Sequence, residues 1–357
     1  MKKTLLVTSA LVGLVASSAV AQTTVTGSLD IISRNTTFDG TAANKQKADS
    51  YLGRESQINI ANKGKLNVAG LDYAAGFSIE FDGGQTTAEG TSANTTISNE
   101  NLYIDIINAS SATTLTVGID HIQNSKNTGL KTVTDFIDDV GDAVISSNLI
   151  SLGAKTKEFM GVGITQGLGA SNLTASYFYA PNASNLGGGD TGSATNLSGD
   201  NAAYEYGVKG NDVFGVKGLA LEYWKNNRDK NDVADRADSE GKKYSVNYTY
   251  GAFTVGAIDA KTSNGTYVAT TNVENDTRLY SVSYAVNKDL SLSAITGKTD
   301  ITNTGVATAE DESYKAVQVG YNLGPVGVAA AYTKVSDLAG TAGQDAEQLS
   351  IRLSTKF

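Results

Sequence analysis

Cysteine is absent from this sequence of 357 residues, so no disulfide and no thiolate chemistry contributes to its fold or its function. Histidine occurs once, at His121, and no serine forms a recognisable hydrolase pair with it. We therefore expect no enzymatic activity and no cofactor. One alternative is a calcium ion bound by a loop cluster of carboxylates, although the cluster lacks the ordered spacing and central glycine of a dedicated calcium loop. Its members are Asp229, Asp232, Asp235, Asp238 and Glu240.

Long apolar runs are also lacking. After residue 21, no stretch approaches the ~20 apolar residues that a membrane-spanning helix needs. The apolar stretch from Thr4 to Val20 follows a short basic start and ends in Ala19-Val20-Ala21, which is the pattern of a cleaved signal peptide. Interruption by serine and threonine favours cleavage over an N-terminal membrane anchor. The sequence predicts a signal peptide over 1–21 and one domain over 22–357.

Basic residues are outnumbered, with 28 Lys and Arg against 37 Asp and Glu and a formal net charge of −9. An acidic chain argues against nucleic acid as a partner. Proline occurs only twice, while glycine occurs 38 times and tyrosine 17 times. Many glycines and tyrosines with few prolines favour numerous strands, tight turns and aromatic residues at interfaces.

Apolar and polar residues alternate with a period of two along most of the chain, which indicates β-strands with one apolar face. Val25, Gly27, Leu29 and Ile31 mark the first strand. We count sixteen such segments, with fourteen and eighteen as alternatives, and the connections between them alternate between long and short. The long polar connections are predicted at 34–54, 82–96, 121–154, 181–201, 226–241, 262–275, 299–311 and 336–347.

An even number of antiparallel strands with short turns on one side and long loops on the other is typical of an outer-membrane β-barrel. A soluble β-sandwich does not need to sort its loops by side, and a solenoid would show a fixed repeat. The predicted fold is therefore all-β: a transmembrane antiparallel barrel of about sixteen strands. Barrels of 16–18 strands are too wide to be filled by side chains and leave an aqueous channel.

The apolar face of each strand should contact lipid, because charges there cost ~2–4 kcal/mol at the membrane midplane. Seven tyrosines near predicted strand ends indicate aromatic girdles: Tyr179, Tyr204, Tyr223, Tyr250, Tyr284, Tyr321 and Tyr332. The polar face should line the channel. The acidic wall candidates are Asp30, Glu80, Asp105, Asp120, Glu205 and Glu222. The basic candidates are Lys155, Lys157, Lys209 and Arg352, together with Arg34 and Arg54 near the first long loop.

The last ten residues alternate up to a terminal aromatic residue, with Leu349, Ile351, Leu353 and Phe357 on the apolar face. This end resembles the C-terminal assembly signal of bacterial outer-membrane barrels, in which Phe357 would be recognised by the barrel-assembly machinery. Thr355 departs from the usual apolar residue. A closed barrel also explains such an end, because its last strand must pair with its first.

The chain resembles the general diffusion porins of Gram-negative outer membranes in three features: the number of strands, the alternation of long and short loops, and the terminal phenylalanine. The resemblance implies a homotrimer surrounded by outer-membrane lipid and lipopolysaccharide, with small hydrophilic solutes passing through. It also implies that the third long loop, His121 to Ala154, folds inward and narrows the pore. The acidic constriction candidates on this loop are Asp135, Asp138, Asp139 and Asp142.

Two alternatives accompany the aspartate cluster: a solvated loop face, or a small helix with Val133, Phe136, Ile137 and Val140 packed on the wall. Because acids outnumber bases among the inward candidates, we expect a weak preference for cations. A substrate-specific channel and a non-conducting structural or adhesive barrel are the alternative functions. An inward face rich in Ser, Thr, Asn and Gly disfavours a plugged barrel.

Overall fold

The computed structural model describes residues 22–39, 49–85, 96–119, 129–133, 160–181, 202–228, 239–263, 273–303 and 310–357. In these ranges no helix is long and apolar enough to cross a membrane. The same ranges contain three short 3₁₀ segments, at Gly169–Ser171, Val213–Gly215 and Leu338–Gly340. The predicted signal peptide, 1–21, lies outside the described residues and stays a prediction.

Sixteen strands form within the described ranges, and each pairs antiparallel with its neighbours in chain order. β1 also pairs with β16, so the sheet closes into a barrel and no strand edge is left open. The strands are β1 Gln22–Asp39, β2 Asp49–Lys65, β3 Asp72–Gln85, β4 Thr96–Asn108, β5 Thr113–Ile119, β6 Gly161–Gly167, β7 Leu173–Ala180, β8 Ala203–Asn211, β9 Leu219–Arg228, β10 Ser239–Tyr250, β11 Phe253–Ser263, β12 Val273–Ala285, β13 Leu290–Asn303, β14 Glu312–Asn322, β15 Val326–Ser336 and β16 Asp345–Lys356.

Burial alternates along the strands as the period of two predicts. In β16, Leu349 and Ile351 are 47% and 42% exposed, whereas Gln348 and Ser350 between them are 5% and 2% exposed. Because successive side chains point to opposite sides of a sheet, the exposed apolar set faces out and the buried polar set faces the lumen. The seven predicted girdle tyrosines all belong to the outward set.

The short connections lie at one end of the barrel and the long connections at the other, as predicted. One end of the barrel carries the short turns, such as 251–252 and 323–325, and the other carries the long connections, of which 120–160 is the longest. These two ends are called the turn end and the loop end below. The left-handed conformation of Gly251, with φ of 59°, suits the two-residue turn between β10 and β11.

Several strands run further toward the loop end than the sequence predicted. The connection predicted at 34–54 is in fact strand up to Asp39 and again from Asp49, and β9 and β10 extend similarly into 226–241. Residues 299–303, predicted as loop, end β13. The hydrogen-bonded ladder continues beyond the apolar band, where both faces are polar and the alternation that reveals a strand disappears.

The two chain ends meet at the barrel seam. The backbone N–H of Phe357 donates to the Gly27 carbonyl at 3.0 Å, and the Gly27 N–H donates to the Phe357 carbonyl at 2.8 Å. Thr355, the residue that departs from the apolar pattern, donates its hydroxyl to the carbonyl of Pro325 at 2.8 Å. Its polar group is thus satisfied by the neighbouring turn.

The lumen contains a large apolar cluster, which the sequence did not predict. On the inward face of β11–β16, nine residues are buried together: Ile258, Ala260, Leu279, Ile295, Tyr314, Ala316, Val335, Leu338 and Ala346. The expectation of an inward face made of small and polar residues is therefore wrong for this side of the barrel. Apolar side chains are stable there because other groups pack against them and exclude water.

Candidate functional site

The third long connection enters the lumen, as the predicted inward-folded third loop requires. Its described segment, 129–133, runs along the inner wall from β10 to β13. The Asn247 amide donates to the Gly129 carbonyl at 2.7 Å and accepts the Lys131 N–H at 2.9 Å. Ser283 donates to the Lys131 carbonyl at 2.8 Å, and Ser293 accepts the Val133 N–H at 3.1 Å. Four hydrogen bonds therefore hold five residues of chain against the wall.

Close approach of the segment to the wall depends on glycine. A β-carbon at Gly256 would lie 3.0 Å from Leu130 Cδ2, and one at Gly320 would lie 2.7 Å from Val133 Cγ1. A larger residue at Gly256 would also crowd Asn247 Oδ1, the atom that accepts the Lys131 N–H, and one at Gly320 would displace the Val133 side chain. Leu130 also packs against the apolar cluster, which supplies the platform that a loop folded into a water-filled barrel needs.

A cavity of about 640 Å³ lies between the segment and the inner wall near the turn end. Its lining includes two cations, Lys131 and Lys209, and the side chains of Asn172, Asn211 and Asn247. The Lys131 ammonium donates to Asn211 Oδ1 at 3.0 Å. Glu222, which is paired with Lys243, also lines the cavity, so its wall combines two lysines, one carboxylate and three amide groups.

Among the described residues, two mostly buried ion pairs lie on the inward face. Arg352 Nη2 is 2.6 Å from Asp30 Oδ2 across the β1–β16 seam, and both side chains are mostly buried. Lys243 Nζ is 2.9 Å from Glu222 Oε1, with Lys243 1% exposed. Pairing offsets the cost of taking these charges partly out of water, so each pair holds its carboxylate and its cation in a defined place on the wall.

Eight of the predicted wall residues lie on the inward side of their strands, and their role in the pore stays a prediction. Asp30, Glu80, Asp105, Glu205 and Arg34 are all buried on the inward parity. Glu222 and Arg352 belong to the same face through their ion pairs, and Lys209 does so through the cavity lining. Thr116 donates its hydroxyl to Asp105, which fixes that carboxylate on the wall.

Other predicted site residues lie outside the described residues, and their positions stay predictions. They are Asp120, Asp135, Asp138, Asp139, Asp142, Lys155 and Lys157, together with His121 and the loop acids Asp229, Asp232, Asp235 and Asp238. For Arg54 the structure describes only the backbone, which lies opposite Ile31 in the β1–β2 register.

Two residues of the site, Lys131 and Lys243, escaped the sequence reasoning, as did the bonds by which Asn247 holds the segment. Lys131 belongs to a long connection in which no periodicity assigns a direction to a side chain. Lys243 follows directly on the connection predicted at 226–241, where alternation begins again. Val246 and Tyr248 are outward residues of the same strand. Because successive residues alternate between the two faces, Lys243 could have been assigned to the inward face.

In the part of the chain that the structure describes, no group of three or more His, Cys, Asp or Glu residues could hold a metal ion. Glu240, the one described member of the predicted calcium cluster, instead lies 3.0 Å from Lys225 Nζ. Calcium binding by the remaining acids of that cluster is untested.

Solved structures with the same fold include several channel proteins. The anion-selective porin from Comamonas acidovorans superposes with a TM-score of 0.63 at 11% identity, covering 94% of this chain and 100% of that one. Outer-membrane expressed OmpT of Vibrio cholerae gives 0.63 at 13% identity, with 96% and 100% covered. A mutant of the Rh. blastica porin gives 0.55 at 12% identity, with 94% and 100% covered. At these identities the likeness shows the fold alone.

No curated protein matches the chain. The model of the Gram-negative porin family, however, matches residues 7–356, almost the whole sequence. Together with the closed sixteen-stranded barrel, this match shows that the chain belongs to the Gram-negative porins, the β-barrel channels of the outer membrane.

Proposed function

We propose that this outer-membrane channel lets small hydrophilic solutes and ions diffuse passively, with a weak preference for cations. The observation that carries the proposal is the segment 129–133, held by four hydrogen bonds against one wall of a closed barrel. A loop fixed in this way narrows the passage without filling it, and a polar cavity of about 640 Å³ adjoins it.

The cation preference rests on carboxylates. Five inward-facing carboxylates are buried on the wall: Asp30, Glu80, Asp105, Glu205 and Glu312. Four more acids, Asp135, Asp138, Asp139 and Asp142, follow the segment 129–133 directly in the chain and are the proposed acidic side of the constriction. Lys131 and Lys209 near the turn end oppose this field, as do Arg34, Lys243 and Arg352 on the wall, which keeps the preference weak.

The proposed surroundings follow from membership of the family. We propose that the chain acts as a homotrimer in outer-membrane lipid and lipopolysaccharide, and that the barrel-assembly machinery recognises the strand ending at Phe357. The proposed mature chain begins at Gln22, after removal of residues 1–21. None of these functions requires a cofactor or a catalytic step.

The test is single-channel conductance of the purified, folded chain in a planar bilayer, with the reversal potential measured in a salt gradient. We expect large steps, often in threes, and a reversal potential on the cation side. An anion-side reversal potential would overturn the cation preference. Silence from folded protein would overturn conduction itself and favour a structural or adhesive barrel.

Two matched sets of Asp→Asn variants test which long connection determines the ion selectivity. Changing Asp135, Asp138, Asp139 and Asp142 to Asn removes four carboxylates from the third long connection. Changing Asp229, Asp232, Asp235 and Asp238 to Asn removes the same charge from another one. Only the first set should move the reversal potential toward zero, since only those acids are proposed to face the permeating ions.

A substrate-specific channel is the second candidate, and it is favoured by the cavity, in which Lys131, Lys209 and three asparagines accompany one carboxylate, Glu222, that is already paired with Lys243. Such a site would hold an anionic solute for part of its passage. Flux of a small dicarboxylate would then saturate with concentration, and Lys209→Gln would abolish the saturation. A strictly linear flux excludes this candidate.

A further inference from the structure

The charged side chains that face the lumen are sorted along the axis of the barrel. Five exposed lysines, called the turn-side lysines below, face the lumen at the turn end: Lys63, Lys65, Lys131, Lys209 and Lys356. Four of them lie within two residues of the turn end of β2, β8 or β16, and Lys131 donates to Asn211, the last residue of β8. Among the side chains that the structure describes, two carboxylates face the lumen at this level, Asp72 and Asp105, and Asp72 is 2.6 Å from Lys65. Cations therefore outnumber carboxylates on the turn side.

Two ion pairs lie nearer the middle of the wall and add no net charge. They join Asp30 to Arg352 and Glu222 to Lys243. Glu222 is also in register with Lys209, but Lys243 already balances its one charge. Beyond these pairs, the charged side chains that the structure describes on the inward face are three carboxylates and one cation: Glu80, Glu205, Glu312 and Arg34. The described wall is therefore positive toward the turn end and negative toward the loop end.

The remaining charges at the turn end cancel one another. The α-carboxylate of Phe357 is negative, and the α-amino group of Gln22 is positive in the proposed mature chain. The turn-end connections contribute two lysines and two aspartates, which are Lys217, Lys288, Asp212 and Asp289. The surplus of positive charge thus belongs to the lysines that line the lumen.

The turn-side lysines surround the mouth of the channel and do not converge on one point. Lys63 stands opposite Gln22 of β1 and Lys356 opposite Ser28 of the same strand, so they are about 20 Å apart along it. Lys209 is on β8, on the far side of the closed barrel from β16. One small anion therefore cannot contact all of them. They act through their field, which attracts anions over about one Debye length, ~10 Å at 0.1 M salt.

Charge sorted in this way makes ion flow depend on its direction. Fixed positive charge on the turn side collects mobile anions, and fixed negative charge toward the loop end collects mobile cations. When the loop side of the membrane is positive, the voltage drives both kinds of ion into the middle of the lumen, where they accumulate and carry current. When it is negative, both are drawn out toward the mouths, and the middle is depleted of carriers. The turn-side lysines alone give the same sign, because anions then fill the lumen only when they are driven from the turn side.

We propose that this channel rectifies: at low ionic strength it passes more current when the loop side is positive than when the turn side is positive. The inference rests on the proposed conduction and gives it a direction. The turn-side lysines are its origin, since they are the exposed charges at one mouth of the described lumen. Salt that screens their field removes the asymmetry without closing the channel.

The test measures single-channel current at equal and opposite voltages in about 0.1 M and about 1 M KCl, where the Debye length is ~10 Å and ~3 Å. Fast voltage ramps keep slow closing events out of the comparison. Orientation is assigned in a parent chain that carries Thr24→Cys, an inward position at the turn end in a sequence without cysteine. A maleimide-linked polymer too large to enter the pore lowers the current only when it is added on the turn side.

Two double variants of the parent chain are compared. Lys63→Gln with Lys356→Gln removes two turn-side lysines that do not line the cavity near the segment 129–133. Lys217→Gln with Lys288→Gln removes the same charge from the turn-end connections and is the control. Folding is checked by heat-modifiable electrophoretic mobility. If the first double variant does not fold, Lys63→Glu replaces it, since it changes the charge by the same amount.

At the lower salt concentration, we expect the parent chain to pass about 1.5-fold more current with the loop side positive. The ratio should approach unity at the higher concentration. It should also fall toward unity in the variant of Lys63 and Lys356, and it should persist in the control. Equal currents at low salt, a larger current with the turn side positive, or an equal loss in both double variants would overturn the proposal.

The same recordings separate this inference from the proposed channel function. Equal currents in both directions would leave passive diffusion standing and overturn only the asymmetry. Silence from folded protein would overturn conduction itself, and the asymmetry with it.

Discussion

At the scale of single residues, Gly27 shows how one small side chain allows the barrel to close. A β-carbon at this position would lie 2.4 Å from Cζ of the Phe357 ring and 2.9 Å from the Gln57 carbonyl. The terminal ring therefore lies directly over the glycine, while the two backbones exchange hydrogen bonds. The C-terminal aromatic residue has a structural role at the seam in addition to its proposed role in assembly.

Gly27→Ala should destabilise the barrel by about 1–3 kcal/mol, because the new methyl group overpacks the ring of Phe357. Phe357→Ala in the same background should recover part of this loss. The measurement is urea unfolding of chains refolded into lipid vesicles, which involves no assembly machinery. Equal effects of Gly27→Ala with and without the ring would show that the Gln57 carbonyl alone is responsible.

The pair formed by Arg352 and Asp30 carries opposite charges on the channel wall. Arg352→Gln should move the reversal potential toward stronger cation preference, because it leaves the carboxylate of Asp30 uncompensated. Asp30→Asn should move it the opposite way, and the double variant should lie close to the wild type. Reversal potentials in a salt gradient give all three values. A shift of the same sign in both single variants would place the pair outside the ion path.

At the scale of elements, the segment 129–133 depends on one amide. Four hydrogen bonds hold the backbone of this segment, and Asn247 makes two of them. Each is worth about 0.5–1.5 kcal/mol. Two inward glycines, Gly256 and Gly320, allow the same segment to approach the wall. The inward fold is therefore a property of β10–β14 as much as of the loop itself.

Asn247→Ala should release the segment from the wall and give noisier single-channel currents with altered mean conductance. Asn59→Ala is the matched control, since Asn59 is an inward amide whose recorded bond goes to Gln57 and not to the segment. Planar-bilayer recordings of both variants provide the comparison. Equal noise in the two variants would mean that the apolar contact of Leu130 holds the segment without Asn247.

At the scale of the whole molecule, the outward face defines where the membrane lies. On β14, Val317, Val319 and Tyr321 are exposed and apolar, and Lys315 and Ser313 follow them toward the loop end. The apolar band of this strand thus ends between Val317 and Lys315. On the neighbouring strands, the outward charged residues Lys298 on β13 and Arg278 on β12 end the band at a comparable level.

Val319→Arg should destabilise the barrel in lipid vesicles by about 2–4 kcal/mol, the range for a cation near the membrane midplane. Ser313→Arg, on the same strand and the same face, should cost no more than about 1 kcal/mol because it lies beyond the band. Urea unfolding in vesicles measures both. A larger loss from Ser313→Arg would mean that the membrane extends further toward the loop end.

Much of this architecture follows from the sequence alone. The period of two, the terminal Phe357 and the alternation of short and long connections predicted the closed barrel and the inward parity of Asp30, Glu80 and Asp105. These features are readable because one face of each strand must be apolar in lipid, so the pattern repeats locally.

Only the tertiary structure shows which residues of different strands form clusters, both outside the apolar band and inside the lumen. Lys225, Lys242 and Lys261 come from three strands and are far apart in the chain, so only the register of β9, β10 and β11 makes them a row. Ile258, Leu279 and Leu130 likewise form an apolar platform only when the third connection folds inward. Local periodicity reports the environment of one strand, whereas these sites depend on which strands are neighbours and on what the lumen encloses.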